Sequence, residues 1–166
     1  MPDTVHVVHA DGNDISISKV IRVNVTVEVL EQVTDEVVNA FGRLLPQLSR
    51  SAQPLDETAL QRLVSCEVNT VLIARTPDLI VGTLTLVMFP IPTGLRARIE
   101  DVVVDESARS QGVGAILTEE ALRLARLAGA RTVDLTSRPD RGPANRLYQR
   151  LGFQLRESQV YRFTPE

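Results

Sequence analysis

The stretch "RSQGVGA", from Arg109 to Ala115, is where this sequence first offers chemistry. Two glycines, Gly112 and Gly114, stand one residue apart between the β-branched run "VVV" at 102–104 and a long stretch of helical apolar spacing. The first turn of a helix carries backbone N–H groups with no carbonyl partner and the positive end of the helix dipole, and both attract anions. Glycine has no Cβ, so a ligand can approach such amides closely. Arg109 adds a guanidinium able to pair with a phosphate. The set suits a pyrophosphate, and it equally suits a plain tight turn between a strand and a helix. A dinucleotide fingerprint is disfavoured, because Leu117 stands where the third glycine belongs. A P-loop is excluded by the missing Gly-Lys-Ser/Thr ending.

Other reactive side chains are few. Glu100 and Asp101 are neighbouring carboxylates that face opposite sides on a regular strand. Arg96 and Arg98 share a face with Glu100 and are its simplest ion-pair partners. Tyr148 falls with Ala144, Leu147 and Leu151 on one helical face, the spacing of a core aromatic. Arg138 and Arg141 flank the end of a strand and read as surface charges or as contacts to a ligand. The single cysteine, Cys66, can form no internal disulfide and reads as a small apolar residue. No Cys or His spacing suits zinc, so no metal is expected. His6 and His9 sit in a terminal segment and carry no catalytic expectation.

Composition narrows the partners. The chain has 166 residues, a net charge of −3 and 43 % hydrophobic residues, within the range of one ordinary domain with its own core. Scattered arginines, no Trp, four Phe and two Tyr argue against nucleic acid. No apolar run reaches the length of a membrane span, and the N-terminus lacks the pattern of a secretory signal. A soluble cytoplasmic protein with no membrane partner is expected.

The elements that must position these groups follow from periodicity. Residues 1–19 read as a tail or an extra hairpin turning at Asp11-Gly12, and "IRVNVTVEV" (21–29) as a strand. Thr34 caps a helix bearing Val37, Val38, Phe41, Leu44 and Leu45, which Pro46 ends or kinks. "LDETALQRLVSC" is a second, shorter helix. "NTVLIAR", "LIVGTLTLVMF" and "LRARIEDVVVD" form an antiparallel meander, with "TPD" as one turn and "PIPTG" as a break. A helix follows the glycines with Val113, Ile116, Leu117, Ala121, Leu124 and Ala128 on its apolar stripe, and Glu119 and Arg123 form an i,i+4 pair opposite. Gly129 stops it. "RTVDLTS" is a strand, "PANRLYQRL" a short helix, and "FQLRESQVYRF" a closing hairpin. The order implies an α/β (α+β) fold, a mixed, mostly antiparallel sheet covered by about four helices.

The residues around the glycines resemble a known family. "IEDVVVDESARSQGVGAILTEEAL" is similar to the acyl-CoA-binding motif of the GNAT N-acetyltransferases, Arg/Gln-x-x-Gly-x-Gly/Ala after an apolar strand, here Arg109, Gly112 and Gly114. "ANRLYQRLGF" resembles the family's downstream helix, and "LIVGTLTL" the glycine-bearing strand before the motif. The likeness runs from about residue 69 to 163. The first 68 residues match only in a strand followed by two helices.

The resemblance implies a single GNAT-like domain whose sheet is splayed in the middle, with acetyl-CoA as cosubstrate. The backbones of Val102 and Val104 would pair with the pantetheine arm, beside Val103. Arg109, Ser110 and the amides of Gln111, Gly112, Val113, Gly114 and Ala115 would hold the pyrophosphate. Asn145 would bond the CoA arm. Glu100 would take the amine proton as general base, through a water, with Asp101 as its neighbour. Tyr148 would be the general acid toward the thiolate. A bulge near these carboxylates, common in the family, would change the faces they occupy. "IED" also resembles glucosamine-phosphate acetyltransferases. Family members shape the acceptor pocket with segments corresponding to 34–66 and 89–94, and the acceptor amine, small molecule or protein, is left open. Dimers occur in the family, and the apolar "MFPIP" loop would serve one. A non-catalytic acyl-CoA-binding or regulatory module is the rival reading. A dinucleotide-dependent oxidoreductase is disfavoured by Leu117 and the meander.

Overall fold

The computed structural model describes residues 24–49 and 51–165. The tail or hairpin expected at 1–19, with His6 and His9, lies outside them, as do the first residues of the strand expected at 21–29. That strand is β1, Thr26–Val29. Thr34 then caps α1, Asp35–Leu48, its Oγ1 accepting from the Val37 N–H at 3.4 Å. Pro46 removes an amide donor, and α1 stops two residues beyond it. Asp56 caps α2, Glu57–Val64, by accepting from the Ala59 N–H at 2.7 Å.

The meander comprises β2, Asn69–Arg75, β3, Ile80–Ile91, and β4, Gly94–Val104, each antiparallel to its predecessor. Its second connection is tighter than the sequence suggests. Pro90 and Ile91 stay in β3, paired with Leu95 and Gly94, so "MFPIP" is mostly strand rather than loop. Only Pro92 and Thr93 separate the two strands, and Gly94 takes φ +118° to close the turn. Next come α3, Val113–Leu127, the short β5, Val133–Leu135, parallel to β4, and α4, Gly142–Arg150. The sheet order is β1-β2-β3-β4-β5.

Strand alternation divides the core in two. Leu72, Ala74, Leu84, Leu86, Ala97 and Ile99 pack under α3, against Val113, Leu117, Ala121 and Ala125. Val71, Ile73, Ile80 and Val103 face the other way, onto Val37, Phe41 and Leu44 of α1 and Leu60 of α2. Gly82 permits the close approach of α3, since a Cβ there would lie 3.2 Å from Leu117 Cδ1 and 3.1 Å from the Val103 carbonyl.

Two expectations fail. Arg123 makes its ion pair with Glu120, two contacts of 2.7 Å one helical turn away, and not with Glu119. The closing hairpin does not form: residues 154–165 contain no strand, and Leu155, Val160, Tyr161 and Phe163 stand exposed. The apolar side chains of the segment are left in solvent, and an isolated hairpin is marginal in water.

Candidate functional site

Where β3 passes from Thr83 to Thr85, β4 passes from Val103 to Glu100, one residue more. The extra residue bulges β4 at Asp101, which sits at φ +50°, a conformation Asp tolerates better than most L-residues. The bulge resets the alternation. Ile99 packs toward α3 while Glu100 points toward α1 and α2, and Asp101 then joins Glu100 on the same cavity. Simple alternation places the two carboxylates on opposite faces, and the bulge removes that separation.

The cavity has a volume of about 170 Å³. Phe41 and Leu45 of α1 with Leu55 and Leu63 form its apolar wall, and Asn69, Thr83, Thr85 and Val87 form its floor. Segment 34–66 contributes four of its lining residues, and nothing from 89–94 lines it. Glu100 Oε1 accepts from Arg98 Nε, and Arg98 Nη2 reaches Thr136 Oγ1 at 2.7 Å. Asp101 has a raised pKa, first from partial burial and then from the charge of Glu100. Its outer side meets solvent, so its carboxyl lies at a cavity mouth and is not sealed within the core.

Beyond the bulge the sheet opens. Pairing of β4 with β5 ends at Ile99 and Leu135, so the continuation through Val102, Val103 and Val104 has no strand on that side among the described residues. The chain then turns at Asp105, a carboxylate only 5 % exposed. Its Oδ1 accepts from the Ser107 N–H at 3.0 Å and the Ser107 hydroxyl at 2.7 Å. Its Oδ2 accepts from Arg43 Nε at 3.0 Å and Gln47 Nε2 at 3.3 Å. Ser107, then Arg43 and Gln47, hold this carboxyl far below the usual carboxylate range, against an opposing effect of burial. Gln47 Oε1 in turn accepts from the Glu106 N–H at 2.9 Å and from Arg109 Nη2 at 3.3 Å.

The glycine turn follows. Arg109 Nε donates to the Val104 carbonyl at 3.2 Å, so its guanidinium braces the strand end and α1. Ser110 and Gly112 take φ of +62° and +85°. The amides of Gln111, Gly112, Val113 and Gly114 have no backbone acceptor among the described residues, whereas the Ala115 N–H bonds the Gly112 carbonyl at 2.9 Å. Four amides therefore lack a backbone partner among the described residues. A Cβ at Gly112 would meet nothing within 4 Å, leaving the backbone open to a ligand; one at Gly114 would lie 3.3 Å from Leu147 Cδ2. Gly114 thus lets α4 sit against the start of α3.

That contact fixes Tyr148 one residue further along α4. Its half-buried ring meets Phe153 edge-on at 5.8 Å. Burial raises its pKa, against a smaller lowering by Arg141. Asn145 Nδ2 bonds the Arg138 carbonyl at 3.0 Å, and Arg141 Nη2 the Leu48 carbonyl at 3.3 Å.

A carboxylate pair in a cavity, an opened sheet and a helix N-terminus with free amides lie in succession along β4 and α3. The model of the Acetyltransferase (GNAT) family matches residues 35–153. The chain belongs to the GNAT family. GNAT enzymes transfer an acyl group from acyl-CoA to an amine. An acetyltransferase from Trypanosoma brucei superposes at TM-score 0.70 with 27 % identity, over 85 % of this chain and 100 % of that one. A transcriptional regulator from Bacillus halodurans C-125 gives 0.72 and 25 %, over 85 % and 100 %. A putative acetyltransferase from Agrobacterium tumefaciens str. C58 gives 0.74 and 20 %, over 84 % and 99 %. No curated protein sequence matches. Among the described residues of this GNAT protein, no helix is long and apolar enough to cross a membrane, and no cluster of His, Cys, Asp or Glu could hold a metal ion.

The sequence reading of this GNAT chain missed the Arg43–Gln47–Asp105 network. One signal was available: Asp105 ends an apolar strand two residues before a serine, the pattern of a side chain that caps the following turn. Its partners on α1 carry no such signal, because they come from sixty residues away.

Proposed function

We propose that this GNAT protein is an N-acetyltransferase that transfers acetyl from acetyl-CoA to a primary amine by direct attack. The observation that carries this reading is the bulge at Asp101, which gives Glu100 and Asp101 one cavity beside the opened edge of β4. The opened edge and the amides of Gln111, Gly112, Val113 and Gly114 suit the pantetheine and pyrophosphate of the cosubstrate, with Val102, Val103 and Val104 alongside and Ser110 and Ala115 at the margins of the turn. These backbone donors would bind and orient without moving, which is where most of the rate advantage of such a site arises.

An alkyl ammonium has a pKa of about 10 and must lose a proton before it attacks. Asp101 is the better base of the pair: its proton affinity is raised, and Arg98 is engaged with Glu100 instead. Glu100 then acts by keeping a negative charge beside Asp101. Asp101 takes the first proton of the ammonium and releases it to solvent at the cavity mouth. As the new C–N bond forms and the C–S bond breaks, the second proton goes to the carboxylate pair, directly or through a water, and from there to the thiolate through solvent. Tyr148, held protonated by its raised pKa, donates a hydrogen bond to the departing sulfur. Asn145 steadies the loop before α4.

Thiol release with acetyl-CoA and a panel of amines, with the product weighed by mass spectrometry, tests the reading. Turnover of at least one amine is expected. Tight acetyl-CoA binding with no thiol release from any amine would replace it with a non-catalytic acyl-CoA-binding module.

A further inference from the structure

Resting on that reading, the acceptor cavity also carries information about the amine. Its wall is four apolar side chains, Phe41, Leu45, Leu55 and Leu63. Two of the three uncharged polar side chains of its floor are engaged within the protein, and the Thr85 hydroxyl is left for a ligand. Thr83 Oγ1 donates to the Leu72 carbonyl at 2.9 Å, and Asn69 Nδ2 donates to the Leu63 carbonyl at 3.3 Å. No Lys, Arg or His lines it, and its charged groups are Glu100 and Asp101.

A polyhydroxylated amine entering here would leave its hydroxyls against leucine and phenylalanine, and each buried hydroxyl without a partner is costly. A phosphorylated amine would meet two carboxylates, the nearest cation, Arg98, being already paired with Glu100. Size acts in the same direction: an apolar cavity of about 150 Å³ accepts a benzene ring, and this one is about 170 Å³. We infer that the acceptor is a compact, apolar primary amine with a single positive charge, of aralkyl or short branched-alkyl type. Its ammonium lies at the Glu100–Asp101 end and its hydrocarbon against Phe41, Leu45, Leu55 and Leu63. Amino sugars and aminoglycosides are excluded by the same wall.

The experiment measures kcat/KM at saturating acetyl-CoA for ethylamine, butylamine, hexylamine and benzylamine. Glucosamine 6-phosphate, kanamycin and trialanine are run beside them, with acetyl-CoA binding followed by calorimetry. In the alkyl series kcat/KM should climb about fourfold per added methylene until the cavity is full. Benzylamine should exceed each polar amine by at least about tenfold, the lower range of discrimination by burial alone. Leu63→Phe should penalise hexylamine and benzylamine more than ethylamine. Leu55→Phe, in the segment before α2, serves the same end if the first variant does not fold. A flat alkyl series, or a polar amine as best substrate, overturns the inferred class while leaving acetyl transfer standing. No thiol release from any amine by the acetyl-CoA-bound protein overturns both.

Discussion

Asp105→Asn is the most quantitative probe of the turn that leads into the glycines. Asparagine keeps one oxygen for Ser107 but turns an NH₂ group toward Arg43 and Gln47, whose own N–H groups now approach Oδ2 at 3.0 and 3.3 Å. Two bonds to an ionised carboxylate are lost, that from the Arg43 guanidinium, about 2 kcal/mol, and the longer one from the Gln47 amide, about 1 kcal/mol. Arg43 is about one-third exposed and can turn to water, so the net loss should be about 2 kcal/mol, or roughly 6 °C in melting temperature for a chain of this size. The loss is pH-dependent. The Asp105 carboxyl titrates lower in the folded chain than in the unfolded one, so its stabilisation is complete above the unfolded value, about 4, and declines as pH falls further. Urea unfolding at pH 7 and pH 3 should show the gap between parent and variant shrinking by about 1 kcal/mol. The same variant should raise KM for acetyl-CoA more than it lowers kcat, because Asp105 ties to α1 the turn proposed to hold the cofactor. A gap below about 0.5 kcal/mol at pH 7, the range of an ordinary surface change, would refute the network. So would a gap of equal size at both pH values.

Three further outcomes follow from the site. Asp101→Asn should lower kcat by about a hundredfold or more, whereas Glu100→Gln should retain more rate and shift the acid limb of the pH–rate profile to lower pH, since Asp101 then loses its negative neighbour; a larger loss in Glu100→Gln would make Glu100 the base. Tyr148→Phe should reduce kcat with little change in acetyl-CoA binding by calorimetry, and an unchanged kcat would remove the hydroxyl from the mechanism. Gly112→Ala should cost about 1 kcal/mol from its φ of +85° alone, whereas Gly114→Ala should act by displacing Leu147 and α4, and so should also lower kcat. Thermal melts and steady-state kinetics on both glycine variants separate the two causes.

Much of this was legible in the chain. The strand–turn–helix at 102–128 could be read because the apolar run, paired glycines and helical spacing follow one another in one contiguous stretch. The cap at Thr34 was equally local, and the meander was visible in its three β-branched runs. Failures came where a partner had to be found at a distance. The C-terminal alternation predicted a hairpin, but an alternating pattern cannot say whether a surface exists to cover it. Arg123 found Glu120 rather than Glu119 because both spacings lie on one helix surface and rotamer choice decides between them.

The sequence by itself determined the order of elements through α4, the apolar strand followed by an anion-ready turn, and the family that goes with them, since each depends on near neighbours in the chain. The tertiary structure alone decided which groups share the site. The bulge of β4 against β3 is a mismatch between two strands, and it gathers Glu100 and Asp101 into one cavity. Arg43 and Gln47 reach Asp105 across about sixty residues, and Phe41, Leu45, Leu55 and Leu63 become the wall of a pocket only when α1 and α2 close over the sheet. Pair register and helix docking are relations between distant segments, and no local pattern encodes them.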